Sequence, residues 1–403
     1  MDACADGANG GCAMAGTKRI FISDLHLCSR RAVTQPPPLH DYGWLNRNAR
    51  HLGRFLGQLA RRDDVAELVI LGDLLDDWVV PASHDPGPDP GMASSFEAIV
   101  AAEQNRLVVK NLKALAGGAG GIRVSYVPGN HDMAVAPDFL EAHFPGIRCL
   151  GQYDPGLGVY QAGGIRAEHG HRFCLFNAPD DLTGDAGYLP LGYYISRCEA
   201  QDCLIDGDGA DYLAVLARVI KELFGAGGDI PVAVLAAMAK EAGLHPNSRF
   251  RMPAGTPAPS VAEVKARFRG LMARWNASPG HPEVDATQAL LADAGALENA
   301  VWHVYGKTAR KSRVVVCGHT HGYALFAGDR HGYVNLAHES ELEPPAGGYD
   351  FVYANAGAWI DQVKLRTYVE TEEDPDAGRH HVRVMKFTSD ATSVEMLGTD
   401  AAL

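Results

Sequence analysis

The sequence has no long hydrophobic run. None of its apolar stretches in 403 residues approaches the roughly 20 residues that a membrane-spanning helix needs. The first 19 residues, MDACADGANGGCAMAGTKR, also lack the apolar core of a signal peptide and are rich in glycine. We therefore expect a disordered tail over residues 1–17, no transmembrane segment and a cytoplasmic protein.

Paired cysteines and an excess of positive charge are also lacking. The eight cysteines form no CxxC pair, so reduced thiols are expected and a cysteine zinc site is disfavoured. The formal net charge of −13 gives no electrostatic footprint for a nucleic acid or an anionic membrane. No nucleic-acid partner is expected, although a locally basic cleft stays compatible with this charge.

What the sequence does contain is an alternation of strand-like and helical segments. RIFISDLHL (19–27), ELVILGD (67–73) and IRVSYVPGNHD (122–132) have the apolar, β-rich character of strands. Between them, residues 47–62 and 96–115 have apolar residues at helical spacing, the second stretch ending before Gly117 and Gly118. This order predicts a layered α/β architecture.

The pattern of predicted secondary structure changes in the middle of the chain. Residues 177–310 contain several helical stretches, one of which opens with Ser260 and Glu263 in the spacing of a capping box. Strand-like runs resume with SRVVVCGHTHG and continue to the end. We therefore predict a core of residues 18–176 and 311–403, interrupted by a helical insertion at 177–310 that acts as a lid or cap.

Polar residues follow the strand-like runs where ligand sites of open α/β sheets gather. They are, in chain order, Asp24, His26, Asp73, Asn130, His131, Asp132, His169, His171, His319 and His321. A carboxylate at the end of a buried strand needs a proton, an ion pair or a metal. Carboxylate, imidazole and amide oxygen together suit Mn²⁺, Fe²⁺, Zn²⁺ or Co²⁺. A bridging carboxylate, with Asp73 carrying an ion on each oxygen, would hold two ions about 3.5–4 Å apart.

Each motif has an ordinary structural interpretation when it is taken alone. SDLHL could cap a helix, GNHD is a good turn sequence, and HGH and GHTH could be loop histidines in a chain with 17 histidines. All five motifs, however, occur in order and each follows a strand-like run. A shared site explains that arrangement better than chance.

The series SDLH, GDLLD, GNHD, HGH and GHTH resembles the calcineurin-like metallophosphoesterase superfamily. The resemblance covers residues of about 19 to 171 and 313 to 361, including NAGAW. It implies a four-layer β-sandwich flanked by helices and two divalent metal ions, with Mn²⁺ expected and Fe, Zn or Co as alternatives. One ion would be held by Asp24, His26, Asp73 and His321. The other ion would be held by Asp73, Asn130, His169 and His319.

The same resemblance implies the reaction. Hydroxide bridging the two ions would attack phosphorus. His131 would face the substrate phosphate and stabilise or protonate the leaving group, with Asp132 orienting His131. Asp76, the last residue of the GDxxD pattern, is expected to support a ligand rather than bind metal itself.

Further residues beside the motifs are weaker candidates. Arg30, Arg31 and Arg172 could grip a phosphate, although solvated surface arginines are the commoner case. His171 is a candidate substrate contact, peripheral ligand or supporting group.

The substrate class is left open by the motifs. FISDLHLC and LGDLLDDW most resemble bacterial UDP-2,3-diacylglucosamine pyrophosphohydrolases, which cleave a lipid-linked nucleotide pyrophosphate beneath a helical lid. This chain differs from them in having GNHD for GNRD, HGH for HGD and a longer insertion. We therefore expect a small phosphorylated substrate, which could be a phosphomonoester, a phosphodiester or a pyrophosphate and could be nucleotide or lipid-linked.

The sequence leaves alternatives open for membrane contact and for the activity. A lipid-linked substrate would bring peripheral contact with a membrane. The same metal pair also serves nucleases, and a scaffold that kept the fold without the chemistry is the least favoured alternative. The sequence does not indicate an oligomeric state.

Overall fold

The computed structural model describes residues 16–33, 42–87, 92–151, 158–183, 189–206, 218–223, 228–252, 257–279, 281–286, 294–307, 312–329, 331–338 and 348–402. Much of the predicted N-terminal tail, residues 1–15, lies outside these ranges. Within them, none of the helices is both long and apolar enough to span a membrane.

The described residues form two β-sheets. The strands are β1 (Lys18–Ile22), β2 (Val65–Leu71), β3 (Arg123–Val127), β4 (Arg148–Cys149), β5 (Tyr160–Ala162), β6 (Ile165–Ala167), β7 (Val314–Cys317), β8 (Tyr323–Gly328), β9 (Tyr333–Asn335), β10 (Phe351–Ala356), β11 (Arg366–Asp374), β12 (Arg379–Phe387) and β13 (Ser393–Ala402). The first sheet has the order β13-β12-β11-β1-β2-β3-β4, and the second has the order β5-β6-β7-β10-β8-β9. β1 to β4 run parallel, as do β6, β7 and β10.

Helices cover the outer faces of both sheets and form a further group of their own. They are α1 (Arg30–Val33), α2 (Ala49–Leu59), α3 (Ser95–Ala101), α4 (Arg106–Ala116), α5 (Pro137–His143), α6 (Leu191–Asp206), α7 (Ile230–Glu241), α8 (Val261–Arg267), α9 (Leu271–Ala277) and α10 (Ala294–Val301). Short 3₁₀ turns lie at Glu103–Asn105, Ala119–Gly121 and His171–Phe173, and one π turn follows α10 at Trp302–Gly306.

Three apolar layers hold the core together. Between the sheets, Phe21 and Val69 of the first sheet pack against Val314 and Val352 of the second. On the outer face of the first sheet, α2 and α4 bury their apolar stripes against residues such as Ile70. On the outer face of the second sheet, α10 and the π turn form a further layer. This helix–sheet–sheet–helix order confirms the predicted four-layer α/β sandwich.

Two helical stretches are broken where the sequence suggested continuity. Residues 96–115 do not form one helix, because Ala102 is extended and separates α3 from α4. The buried Asn105 side chain donates to the Ile99 carbonyl at the end of α3, at 2.8 Å, and so satisfies the interrupted backbone. The second stretch begins at the predicted capping box of Ser260 and Glu263, which is present at the start of α8. This stretch is divided by Gly270, which has φ +72° and separates α8 from α9.

The helices of the 177–310 segment pack in two places. α6 to α9 share one apolar cluster, to which Trp78, Ala82 and Met133 also belong. α10 instead places Leu297 and Val301 against Val315 and Tyr353 of the second sheet. The first group of helices therefore lies beside the GDLLDDW and GNHD motifs, whereas α10 forms part of the sandwich.

Arg197 of α6 joins these helices to the loop after GDLLDDW. It is fully buried, and its guanidinium donates to the carbonyls of Val80 (2.6 Å), Pro81 (3.0 Å) and His84 (2.8 Å). A fourth bond reaches the Tyr193 hydroxyl at 2.8 Å. One side chain thus satisfies three loop carbonyls at once.

We expect Arg197→Met to lower the free energy of unfolding by about 3 kcal/mol, because it leaves buried carbonyls without donors. Chemical denaturation measures this. The matched control is Arg218→Ala, which breaks an ion pair with Glu241 where the arginine side chain is 40% exposed. That change should cost no more than about 0.5 kcal/mol, and equal losses in the two variants would contradict the role given to Arg197.

Candidate metal centre

The polar residues that follow five strands meet at one edge of the sandwich. Asp24 and His26 follow β1, Asp73 follows β2, Asn130 follows β3, His169 follows β6, and His319 and His321 follow β7. β1, β2 and β3 belong to one sheet, and β6 and β7 to the other. Because the strands within each set are parallel, their carboxyl ends lie at a common edge.

The backbone at this edge is held in an unusual conformation. Of the six non-glycine residues with positive φ in the described part of the chain, five are predicted metal ligands: Asp24 (53°), His26 (47°), Asp73 (51°), His319 (73°) and His321 (59°). Such conformations cost about 1–3 kcal/mol each and concentrate at functional sites. The strain therefore marks the same residues that the motifs indicate.

The first ligand group contains Asp24, His26 and His321. Asp24 Oδ1 lies 3.4 Å from His321 Nε2 and 3.9 Å from His26 Nε2. The two imidazole Nε2 atoms are 3.1 Å apart. Two ring nitrogens at this separation must share either a proton or a cation, because their lone pairs would otherwise repel.

The second ligand group contains Asp73, Asn130 and His169. His169 Nε2 lies 3.2 Å from Asp73 Oδ2 and 3.0 Å from Asn130 Oδ1. Its other nitrogen, Nδ1, donates to the Leu71 carbonyl at 2.7 Å. That bond fixes the ring and leaves Nε2 as the coordinating atom. The His319 ring lies beside this group, 5.1 Å from the ring of His169.

Asp73 lies between the two groups. Its Oδ2 is 3.7 Å from His26 Nε2 and 3.2 Å from His169 Nε2. Its Oδ1 accepts the backbone N–H of His131 at 2.9 Å. Thus one oxygen faces both groups, in place of the predicted arrangement in which each oxygen serves one ion.

The residues fit a pair of divalent cations. Asp24 Oδ1 is buried and has no hydrogen-bond partner, which is costly for a carboxylate oxygen unless a cation faces it. The nitrogen and oxygen donors of the described residues converge within 4.8 Å in three sets that could hold an ion. These are Asp24 with His26 and His321, Asp24 with Asp73 and His169, and His26 with Asp76 and His131. Imidazoles and carboxylates without thiolates suit Mn, Fe, Zn or Co.

His131 is oriented by a different residue from the one predicted. Its Nδ1 lies 2.9 Å from Asp76 Oδ1, and the other oxygen of Asp76 lies 2.8 Å from His26 Nδ1. Asp132, which the resemblance implied for this task, accepts the backbone N–H groups of Gly129 (2.7 Å) and Leu74 (2.7 Å) instead. Asp132 thus joins two loops, while Asp76 orients both histidines.

The weaker candidates lie around the centre with other partners. Arg172 is paired with Glu168, at 2.5 Å from Nε to Oε2, and contacts Tyr305. Arg31 donates to the Asp85 carbonyl at 3.1 Å, and Arg30 is exposed on α1. His171 is buried with neither ring nitrogen hydrogen-bonded, 5.3 Å from the His169 ring. The structure therefore brings only His171 into contact with the ligand groups.

Two neighbours of the centre carried no motif and were missed. Asn177 Nδ2 lies 3.5 Å from His319 Nε2, and the Trp44 ring lies 4.6 Å from that of His26. Neither residue stands at the end of a strand-like run, so no periodic or glycine-linked signal singles them out. Their proximity to the centre comes from how the loops pack.

Burial and neighbouring charge act together on the histidines. Burial lowers the pKa of His26, but the carboxylates of Asp24 and Asp76 outweigh it and raise the pKa to about 10. Burial also lowers the pKa of His169, but the carboxylate of Asp73 outweighs it and raises the pKa to about 9. Burial and the charge of His169 lower the pKa of His319 to about 3. Without metal, protons on His26 and His169 thus balance the buried carboxylates.

Comparison with known proteins bears on the class. The sequence model of the calcineurin-like phosphoesterase family (Metallophos) matches residues 17–215, just under half of the chain, which include the first four motifs. This match, with the fold and the ligand groups, identifies a metal-dependent phosphoester hydrolase. It supports placing the chain in the calcineurin-like phosphoesterase superfamily. No comparison bears on the closer resemblance to UDP-2,3-diacylglucosamine pyrophosphohydrolases.

Solved structures are similar only at a distance. A dimetal phosphatase from Danio rerio shares 10% identity at a TM-score of 0.38, covering 94% of this chain and 98% of its own. Vps29 from Chaetomium thermophilum shares 8% sequence identity at a TM-score of 0.28, and the match covers 96% of this chain and 98% of Vps29. A 5′-nucleotidase precursor from Thermus thermophilus shares 11% identity at a TM-score of 0.27, and the match covers 96% of this chain and 54% of the precursor. Similarities this weak carry no argument about function. No curated protein matches the chain in sequence.

We expect metal binding to release protons and to weaken as the pH falls. His26 and His169, with pKa values of about 10 and about 9, are protonated at pH 7 in the metal-free protein. Each must lose the proton on its coordinating nitrogen before it binds. The affinity should therefore fall about tenfold per pH unit for each proton displaced.

Calorimetric titration of the metal-free protein with Mn²⁺, at one pH in two buffers of different ionisation enthalpy, counts these protons. The apparent enthalpy should differ between the buffers. Identical enthalpies would show that no proton leaves and would contradict the pKa directions.

Proposed function

We propose that the chain hydrolyses a small phosphorylated substrate at a two-cation centre. Asp24, His26, Asp73 and His321 would hold one ion, and Asp73, Asn130, His169 and His319 would hold the other. The substrate is a phosphomonoester, a phosphodiester or a pyrophosphate. The observation that carries the proposal is Asp73, whose Oδ2 faces His26 and His169 at 3.7 Å and 3.2 Å.

When bound, two divalent ions would activate water for attack on phosphorus and neutralise charge on the phosphoryl oxygens. The chain's own residues would hold the parts in place. The N–H groups of His131 and His319 donate to Asp73 and Asp24, at 2.9 Å and 2.8 Å, and so orient these carboxylates. No side-chain nucleophile is required.

His131 would act at the leaving group. Its Nδ1 faces Asp76, so Nε2 is the nitrogen left for the substrate. The Trp78 ring packs on the imidazole with centroids 4.5 Å apart and planes tilted by 31°, which limits its rotation. A histidine oriented in this way can stabilise or protonate a departing oxygen.

We also propose that residues 177–310 are inserted between two parts of one core, 18–176 and 311–403. α6 to α9 pack on Trp78 and Met133 beside the centre, which supports a cap at that position. α10 contributes to the sandwich even though it lies within the insertion in sequence. The bonds from Arg197 support a cap held against the GDLLDDW loop.

We expect Asp73→Asn to abolish hydrolysis and to remove one or both metals, because the amide loses the charge that faces both ligand groups. Metal content by mass spectrometry and turnover of p-nitrophenyl phosphate measure the two effects. The matched control is Asp138→Asn, an exposed residue in the first turn of α5 that belongs to neither ligand group. A metal-loaded, fully active Asp73→Asn protein would overturn the assignment.

We expect His131→Gln to lower kcat by about 10²- to 10⁴-fold, the usual contribution of general acid–base catalysis. Both metals should remain, because the His131 side chain belongs to neither proposed ligand set. Metal content and kcat are measured on the same preparation. Loss of metal in step with activity would show that His131 acts through the ligands instead.

The substrate class is tested with metal-reconstituted protein. The panel is p-nitrophenyl phosphate, bis-p-nitrophenyl phosphate, a nucleotide pyrophosphate and UDP-2,3-diacylglucosamine. Selective hydrolysis of the last would establish the lipid-linked alternative. Inertness toward every ester with both metals bound would refute the proposed function.

A further inference from the structure

The residues of the candidate metal centre differ in their exposure to solvent. Asp24, His26, Asp73 and His169 are at most 1% exposed, whereas the His321 side chain is 28% exposed. Residues 319–323 and Trp44 are also partly or fully exposed. Trp44 therefore lies beside the exposed ligand His321.

The Trp44 indole touches three histidines of the site. Its ring centroid lies 4.6 Å from that of His26, 5.3 Å from that of His131 and 5.3 Å from that of His321. It is thus near the proposed leaving-group residue and near the accessible ligand. An indole cannot bind a divalent cation or move a proton in this setting, so its place among these polar groups calls for another role.

The backbone that carries Trp44 is fixed by Asp361. The Asp361 N–H donates to the Trp44 carbonyl at 2.8 Å, and the Asp361 carboxylate accepts the N–H groups of Arg47 (2.9 Å) and Asn48 (2.8 Å). The Asn48 side chain returns a bond to the Ile360 carbonyl at 2.8 Å. Trp44 is therefore held in place beside the centre before any substrate arrives.

We propose that Trp44 is a stacking platform for the planar base of a nucleoside leaving group, so that the preferred substrates are phosphoesters of nucleosides. This rests on the proposed function, since the phosphoryl group must be held by the ions. With the phosphate there and the leaving oxygen at His131, the group beyond that oxygen is directed toward the indole. Base–aromatic stacking is worth about 1–3 kcal/mol per base.

The competing explanation is packing. Trp44 also packs against a small apolar cluster that includes Cys28, Val33 and Val79. If its role were only to support His26 and His131, its loss would harm all substrates alike. A pair of substrates that differ only in the base separates the two explanations.

The experiment compares AMP with ribose 5-phosphate, which have the same phosphate and sugar, on the metal-loaded protein. Trp44→Leu keeps apolar bulk and removes the aromatic face, while Trp44→Phe keeps a smaller face. We expect Trp44→Leu to lower kcat/KM for AMP by about 5- to 150-fold and to leave that for ribose 5-phosphate within about twofold. Trp44→Phe should fall between wild type and Trp44→Leu for AMP.

The matched control is Trp302→Leu, a partly buried tryptophan packed on the outer face of the second sheet. It should change neither substrate. An equal loss of kcat/KM for both substrates in Trp44→Leu, or no loss for either, would overturn the proposal that Trp44 stacks on the base.

Binding of AMP, followed by calorimetry, keeps this test separate from the proposed function. If the wild-type protein hydrolyses no ester, the function fails, yet tighter binding of AMP than of ribose 5-phosphate that disappears in Trp44→Leu still supports stacking. Equal binding of AMP and ribose 5-phosphate by the wild-type protein would overturn it.

Discussion

The compensation of buried carboxylate charge is the constraint on which the rest of this structure depends. Asp24 and Asp73 lie out of solvent at the end of a strongly apolar sandwich, where an uncompensated charge would be prohibitive. In the metal-free protein, protonated His26 and His169 supply the opposite charge. Divalent ions can take their place, so the arrangement that makes the protein stable is also the one that prepares it for metals.

The two sheets are joined at this point. Asp24 of the first sheet accepts the His319 N–H of the second, and His169 of the second sheet donates to the Leu71 carbonyl of the first. The approach is close enough that a Cβ on Gly318 would come within 1.8 Å of Ser23 Oγ. Glycine there permits the contact. The packing of the sandwich therefore brings His321 to Asp24 and His169 to Asp73.

A second set of contacts connects the centre to the helices outside the sandwich. Asp76 orients His26 and His131. Trp78, two residues further along the chain, stacks on His131 and also contacts Tyr193 of α6, with ring centroids 5.6 Å apart. Arg197 secures the same helix to the following loop. α6 and His131 thus belong to one continuous set of packing contacts through Trp78.

The sequence alone determined the layered architecture and the polar residues that follow the strands, because strand periodicity and the adjoining glycines are local features and the carboxyl ends of parallel strands must meet. It did not determine that Asp76 rather than Asp132 serves His131, or that Ala102 divides a helix. Nor did it reveal that Arg172 pairs with Glu168 or that Trp44 reaches His321. The contacts of Asp76 with His131 and of Trp44 with His321 join segments that are far apart in the chain, and only the packing of the two sheets and their loops decides which side chains touch.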